Sequence, residues 1–445
     1  MAVLAAVAGL TALITVFVMA RSRSASGAFV IGASWLRFTM SAFHQITYRP
    51  MVAGQSLNAL GSIGLFALGL TMINWRHLAL RFLLPFYAFI GIVLVSAIAN
   101  AEIGPGLIIV LTKFGYLIVM TLAVYAAMRR NPMFMNSLLW AFAPLLIYQL
   151  ASLALGISKA TETDASAVSF IGGYYHESAF SVSLATCLVV ACFADRLNVF
   201  IRYGLIFACV AGIVLANYRT TLVAIAPLLL MFFAATSLRP FPWRDRPFVV
   251  SALVVVVAML AGVISLIFAE RFEDVGVVTS GSIDFFKPSE EYTVEESRVL
   301  SGRPRIWSMY IYAWIRGDML NHVLGFGPES WAEIFPLYAH NTLVNTLYEY
   351  GPVGVIGMLV LWGSCLAAAL RVRHPQRGVL LGAHLSFLML NMSTMPMWMV
   401  EGNILYGIIC GYTLYLLSQQ QQQQQRAKNQ RVMRRPAPMS QAGSR

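Results

Sequence analysis

Apolar runs of about 18–22 residues recur along this chain, parted by short polar breaks. They fall at about 1–20, 27–47, 54–74, 79–99, 105–127, 136–157, 178–194, 200–217, 220–236, 248–269, 351–370, 378–398 and 402–418. As a helix, each is long enough to cross the ~30 Å hydrocarbon core of a bilayer while satisfying its own backbone hydrogen bonds. The alternation within roughly ten-residue segments that marks a membrane barrel is missing. The pattern therefore predicts an all-α polytopic membrane protein with about 12–13 transmembrane helices. The count turns on the run at 27–47, which holds Arg37 in its middle. If that run does not cross, twelve spans remain and the N-terminus moves to the inner side.

The pattern breaks once, between about 270 and 350, where 12 of the chain's 19 acids collect. A polar stretch of roughly 80 residues is too long for a connecting turn. It predicts a reaction chamber outside the membrane. The organisation is then a transmembrane region over 1–269, a loop with amphipathic helices over 270–350, C-terminal spans over 351–418, and a tail over 419–445. Within the loop, Ile306-Trp307, Ile311 and Trp314-Ile315 read as an amphipathic helix lying on the membrane. The tail, with its run Gln419–Gln425 and a basic end, lacks the apolar content to fold and is expected to be disordered.

Charge then orients the chain. Arginines from Arg21 and Arg23 through Arg129 and Arg130 to Arg371, Arg373 and Arg377 fall on one side, together with the cations of the tail. Asp195 and Asp245 are the acids on that side, and the rest lie opposite. The positive-inside rule places the basic side in the cytoplasm and the 270–350 loop on the periplasmic or extracellular face. Arg21 and Arg23 follow the first apolar run, whereas a cleavable signal peptide carries its charge before one. Composition agrees: 58% of residues are hydrophobic and 11% charged, against ~25% charged in soluble domains, and the mean hydropathy is +0.70. The net charge of +12 is explained by this topology, so no nucleic-acid partner is implied. Cys187, Cys192, Cys209, Cys365 and Cys410 all lie in apolar runs without metal spacing and read as buried small hydrophobes.

No span carries an acid in its middle, where ion-coupled carriers keep a titratable relay, and this disfavours a coupled transporter. On the outer face, Arg219 stands in the tight turn Asn217-Tyr218-Arg219. It reads either as an arginine snorkelling to lipid phosphate or as a fixed fork for a phosphate or pyrophosphate ligand. Arg303 and Arg305 belong to Ser301-Gly302-Arg303-Pro304-Arg305. Salt bridges to Glu290, Glu291, Glu295 or Glu296 compete there with a role in offsetting charge on a diphosphate leaving group. Glu295-Glu296 is no convincing metal motif, because adjacent helical residues point apart. His340 offers a neutral imidazole that can accept a proton from a sugar hydroxyl, although a loop histidine is more often structural. Glu349, nine residues on, can orient that imidazole or bind sugar hydroxyls. His176, beside Tyr174 and Tyr175, suits stacking against sugar rings, but tyrosine is common at membrane interfaces. His44, His77, His374 and His384 read as structural.

Taken in order, these residues resemble a known group. An arginine in a short outer turn (Arg219), Ser301-Gly302-Arg303, Gly325-Phe326-Gly327, His340-Asn341-Thr342-Leu343, and then Glu349-Tyr350-Gly351-Pro352-Val353-Gly354 are similar to the O-antigen ligase and polymerase superfamily. The resemblance is best over about 170–370, and the region up to about 135 carries no matching motif. It implies a GT-C-like helical scaffold with a large periplasmic loop in the bacterial inner membrane. It also implies metal-independent, inverting glycosyl transfer from a glycan on undecaprenyl diphosphate, with no cofactor. Arg219 and Arg303 would hold the diphosphate and His340 would deprotonate the acceptor. The acceptor is a second lipid-linked glycan in a polymerase and lipid A-core in a ligase; polymerases being the more numerous, polymerisation of O-antigen or exopolysaccharide is the first expectation. A polysaccharide transporter or flippase would instead need a cavity through the membrane. An interaction scaffold would leave Arg219, Arg303 and His340 far apart.

Overall fold

The computed structural model describes residues 2–52, 54–160, 168–237, 241–242, 244–251, 255, 262 and 287–433. The apolar runs become helices. In chain order these are α1 (Ala2–Ala20), α2 (Ala25–Ala42), a short α3 (His44–Thr47), α4 (Leu57–Met72), α5 (Leu84–Ala99) and α6 (Pro105–Arg130). Next come a short α7 (Phe134–Leu138), α8 (Ala143–Ala154), α9 (Glu177–Phe193), α10 (Val199–Leu215), α11 (Arg219–Ala224) and α12 (Ala226–Ser237). The loop contributes α13 (Arg303–Ile315) and α14 (Met319–Leu324), and the C-terminal part α15 (Thr342–Arg371), α16 (Arg377–Asn391) and α17 (Val400–Met433). Two small antiparallel ladders accompany them, β1 (Pro50–Val52) with β2 (Gln55–Ser56) and β3 (Lys159–Ala160) with β4 (Val168–Ser169).

Among the described residues, seven helical stretches are long and apolar enough to cross a membrane, and α4, α9 and α10 are shorter apolar helices beside them. The chain is an all-α, multi-pass membrane protein. Most of the expected span at 248–269, and the first part of the loop at 270–286, lie outside the described residues.

Local sequence sets the helix starts. Ser24 and Ser56 accept the backbone N–H groups of Gly27 and Ala59, capping α2 and α4, and Pro105 opens α6. Packing then depends on close approach. Gly407 and Gly411 share one face of α17, and a methyl group at either would come within 2.6 Å of Met120 or Thr121 on α6. Small residues four apart let two helices touch where side chains would hold them off.

Arg37 is buried in this bundle. Its Nε donates to Oε1 of Glu401 at 2.9 Å and its Nη2 to Oε2 at 3.1 Å, while Ser41 donates to the same carboxylate at 2.9 Å. Asn58 accepts from Nη1 of Arg37. The charge that sets the run at 27–47 apart is thus the anchor between α2 and the first turn of α17.

The tail departs from the sequence reading. Instead of ending near Leu417, α17 continues through Gln419–Gln425 to Met433. Glutamine, arginine, lysine and alanine are good helix formers, and an existing helix propagates without a new nucleation cost. Gln420 also accepts the backbone N–H of Arg373 at 2.7 Å, which ties the extension to the turn between α15 and α16.

The ion pair gives a stability prediction. Glu401→Ala leaves Arg37 charged and buried, and should lower stability by about 3–5 kcal/mol. The double change Arg37→Met with Glu401→Leu should recover most of that loss. Thermal unfolding of the detergent-solubilised chain, followed by tryptophan fluorescence, checks both; equal midpoints for Glu401→Ala and wild type would refute the anchor.

Candidate functional site

The site is built around the start of α13. Leu300, Ser301 and Gly302 have φ of 48°, 60° and 77°, so three successive residues turn through the left-handed region before the helix begins at Arg303. Such backbone is strained in residues other than glycine and persists where the surroundings over-determine it. The turn aims Arg303 back at the membrane helices: its Nη2 donates to Oγ1 of Thr220 at 3.1 Å. Thr220 is the second residue of α11, directly after Arg219. The tight turn before them is closed by Asn217, again left-handed at φ 55°. The loop therefore docks on the turn that carries Arg219.

One helical turn after Arg303, the indole Nε1 of Trp307 donates to the carbonyl of Ala339 at 2.9 Å. Three residues further, the Tyr310 hydroxyl donates to the carbonyl of Leu337 at 2.9 Å. Tyr310 is fully buried and stacked on Phe335 at 4.1 Å. Burial, followed by the nearby Glu349 charge, holds its phenol well above the ordinary value, so it stays a donor. These bonds splint residues 337–339 to α13. The next residue is His340, left-handed at φ 52°, with its ring 4.0 Å from that of Tyr338. Asn341 follows and accepts the N–H groups of Leu343 and Val344 at 2.9 and 3.3 Å, capping α15. The stretch around His340 is held on both sides.

One helix therefore links three of the residues singled out from the sequence. Arg303 starts α13 and contacts the Arg219 turn, while its neighbours on the same face fix the segment leading to His340. Arg305 lies on a different face of α13 and is exposed. The amphipathic reading of α13 needs correction: its aromatic face does not simply lie on the membrane. Trp307 and Tyr310 bond the 337–339 segment, and Trp314 donates to Asn321 at the base of α14 at 3.1 Å.

Glu349 is placed differently from its expected role. It is fully buried within α15, and its Oε1 accepts the backbone N–H of Glu329 at 3.1 Å. Glu329 in turn pairs with Lys113 of α6 at 2.6 Å. These contacts make Glu349 part of the seam between loop and membrane helices. His176 stands at the start of α9, with its ring 4.3 Å from that of Tyr175, which lies 5.2 Å from that of His44. A cavity of about 450 Å³ lies there, lined by His44, Lys159, Tyr174 and Tyr175 among others. Two of the acids expected to compete for Arg303, Glu296 and Glu290, meet other cations. Both oxygens of Glu296 accept from Lys287 at 2.7 Å, and these bonds, with the Thr293 N–H, hold its carboxyl down to about 2. Glu290 faces Arg316 at 3.9 Å.

Sequence reasoning missed Thr220, Tyr310 and Tyr338, and gave Trp307 the wrong surroundings. A periodic signal was present, since Arg303, Trp307 and Tyr310 fall at i, i+4 and i+7 on one helical face. What that face meets is 27 to 83 residues away in sequence, beyond the reach of local pattern.

Residues 204–359 match the family model described as O-Antigen ligase. The match bears out the superfamily expected from the sequence. It takes in Arg219, Arg303, Arg305, His340 and Glu349 and leaves His176 outside. No curated protein matches the chain.

The splint itself can be tested. Trp307→Phe and Tyr310→Phe each delete one hydrogen bond worth about 1 kcal/mol. Amide hydrogen exchange over 337–341 should speed up roughly fivefold for each, with the buried part of α15 unchanged. Unaltered exchange would mean that packing alone holds the segment.

Proposed function

We propose that this protein transfers a glycan from undecaprenyl diphosphate to a sugar hydroxyl at the periplasmic face of the bacterial inner membrane, polymerising repeat units of a surface glycan or exopolysaccharide. The observation that carries this reading is that α13 both presents Arg303 to the Arg219 turn and positions the His340 segment. A diphosphate donor and a general base are needed side by side for such chemistry, and a rigid helix is a good way to keep them so.

In this reading the acceptor hydroxyl gives its proton to the His340 imidazole as its oxygen attacks the anomeric carbon. The bond from that carbon to the diphosphate oxygen breaks on the opposite side, inverting the centre. The electron pair stays on the diphosphate, and the guanidiniums of Arg219 and Arg303 meet the growing charge. Arg305, exposed on another face of α13, is read as a further contact to the donor glycan. The match to the O-antigen ligase family model supports a second reading, in which the same geometry joins the glycan to lipid A-core.

Complementation of a deletion strain separates these outcomes. His340→Ala should cut transfer by about 10²–10⁴-fold, and Arg303→Ala and Arg219→Ala should also fail to restore long chains at equal membrane levels. Arg303→Lys should restore little, because it keeps the charge and loses the bidentate fork. Single repeats on lipid A-core in the mutants mark a polymerase. Free lipid-linked polymer beside bare lipid A-core marks a ligase. Wild-type behaviour in all the alanine variants would overturn the assignment.

The base also fixes a pH dependence. Only the neutral imidazole accepts a proton, so the rate of the chemical step should rise with pH as the ring deprotonates and then level off. A flat profile, with chemistry shown to limit the rate, would remove His340 from that role.

A further inference from the structure

At the other end of α15, roughly 40 Å along the helix from His340, a second cavity of about 510 Å³ opens beside the turn that leads into α16. Its charged lining is entirely basic: Arg246 from the segment after α12, Arg373 and His374 from the turn, and Arg377 at the first position of α16. Met231 and Ala235 of α12 supply an apolar wall. Among the described residues no aspartate or glutamate lines it, and Asp245, the acid next in sequence to Arg246, is exposed and outside it.

Several features converge on an anion here. Arg373 and Arg377 are exposed and Arg246 partly so, and three arginines bordering one open cavity concentrate positive potential there. Arg377 and Gly378 also form the first turn of a 15-residue helix whose N-cap, Gln376, makes no side-chain capping bond. That leaves the positive end of the helix directed at the same cavity. The Nδ1 of His374 accepts the backbone N–H of Gln376 at 3.2 Å, which puts the proton of the neutral ring on Nε2 as a further donor. Beside it α12 and α16 pack together, with the Ser386 hydroxyl accepting the N–H of Leu228 at 3.2 Å. Basic pockets between membrane helices are suited to phosphate headgroups.

We infer that this cavity binds a phosphate group, and that its source is the headgroup of an anionic phospholipid in the adjacent leaflet. The arginines and the helix end take the phosphate oxygens, and Met231 and Ala235 face the start of the acyl region. The inference is independent of the glycosyl-transfer reading, because the cavity shares no residue with it.

The test uses the full-length chain purified in neutral detergent. Native mass spectrometry and thermal unfolding are recorded with added cardiolipin, phosphatidylglycerol, phosphatidylcholine or inorganic phosphate. Wild type should retain and be stabilised by the two anionic lipids and not by phosphatidylcholine. Arg373→Gln with Arg377→Gln should raise the lipid concentration needed at least tenfold. A control pair of equal charge change, Arg426→Gln with Lys428→Gln on the exposed extension of α17, should leave it unchanged. Equal weakening by both pairs would show diffuse attraction and overturn the site. Stabilisation by inorganic phosphate with no response to either lipid would overturn the lipid source, as would equal retention of phosphatidylcholine.

Discussion

Two stretches of backbone cross at contact distance where the polar loop returns to the membrane helices, and the site is arranged around that crossing. Phe326 and Gly327 donate their N–H groups to the carbonyls of Tyr348 and Glu349 at 2.9 and 2.8 Å. A methyl group on Gly325 would lie 2.3 Å from the Glu349–Tyr350 peptide, and one on Gly351 2.2 Å from the Val323 carbonyl. Both glycines also have positive φ, at 68° and 62°. No other residue type meets both demands. The glycines of the two motifs therefore serve this contact, and α15 kinks there at Gly351, directly before Pro352. The Ser96 hydroxyl on α5 donates to the carbonyls of Leu324 and Glu349, which fastens the crossing to the bundle.

From this fixed seam the loop can afford strain elsewhere. Leu300, Ser301 and His340 all sit in left-handed backbone, each at a cost of order 1–3 kcal/mol, and all lie next to the residues read as functional. α13 offsets that cost through the buried stack of Tyr310 on Phe335 and the bonds from Trp307 and Tyr310. One helix thus holds both Arg303 and the His340 segment, an arrangement that would serve the preorganised charge stabilisation of the proposed transfer.

Charge is handled by the same economy at three depths. Within the bundle, Arg37 and Glu401 neutralise each other and are further hydrogen-bonded, the condition under which buried ions are tolerated. At the loop end, Lys113–Glu329 and Lys287–Glu296 pair acids with cations and leave Arg303 turned toward the Arg219 turn. At the opposite end, Arg246, Arg373 and Arg377 gather around a cavity that no acid among the described residues lines. The two ends of α15 are thus chemically distinct.

The sequence by itself determined the class of protein, its helices and the polar loop, because bilayer thickness imposes a run length and the basic loops a bias that are written locally in the chain. It also singled out Arg219, Arg303 and His340, since motif order survives without coordinates. Only the tertiary structure decided what those residues touch. The partner of Arg37 is 364 positions away and that of Arg303 is 83, and no periodicity encodes such a meeting. The burial of Glu349, the docking of α13 on protein and the basic cavity follow for the same reason: each depends on which faces pack together, and packing is settled by the whole fold.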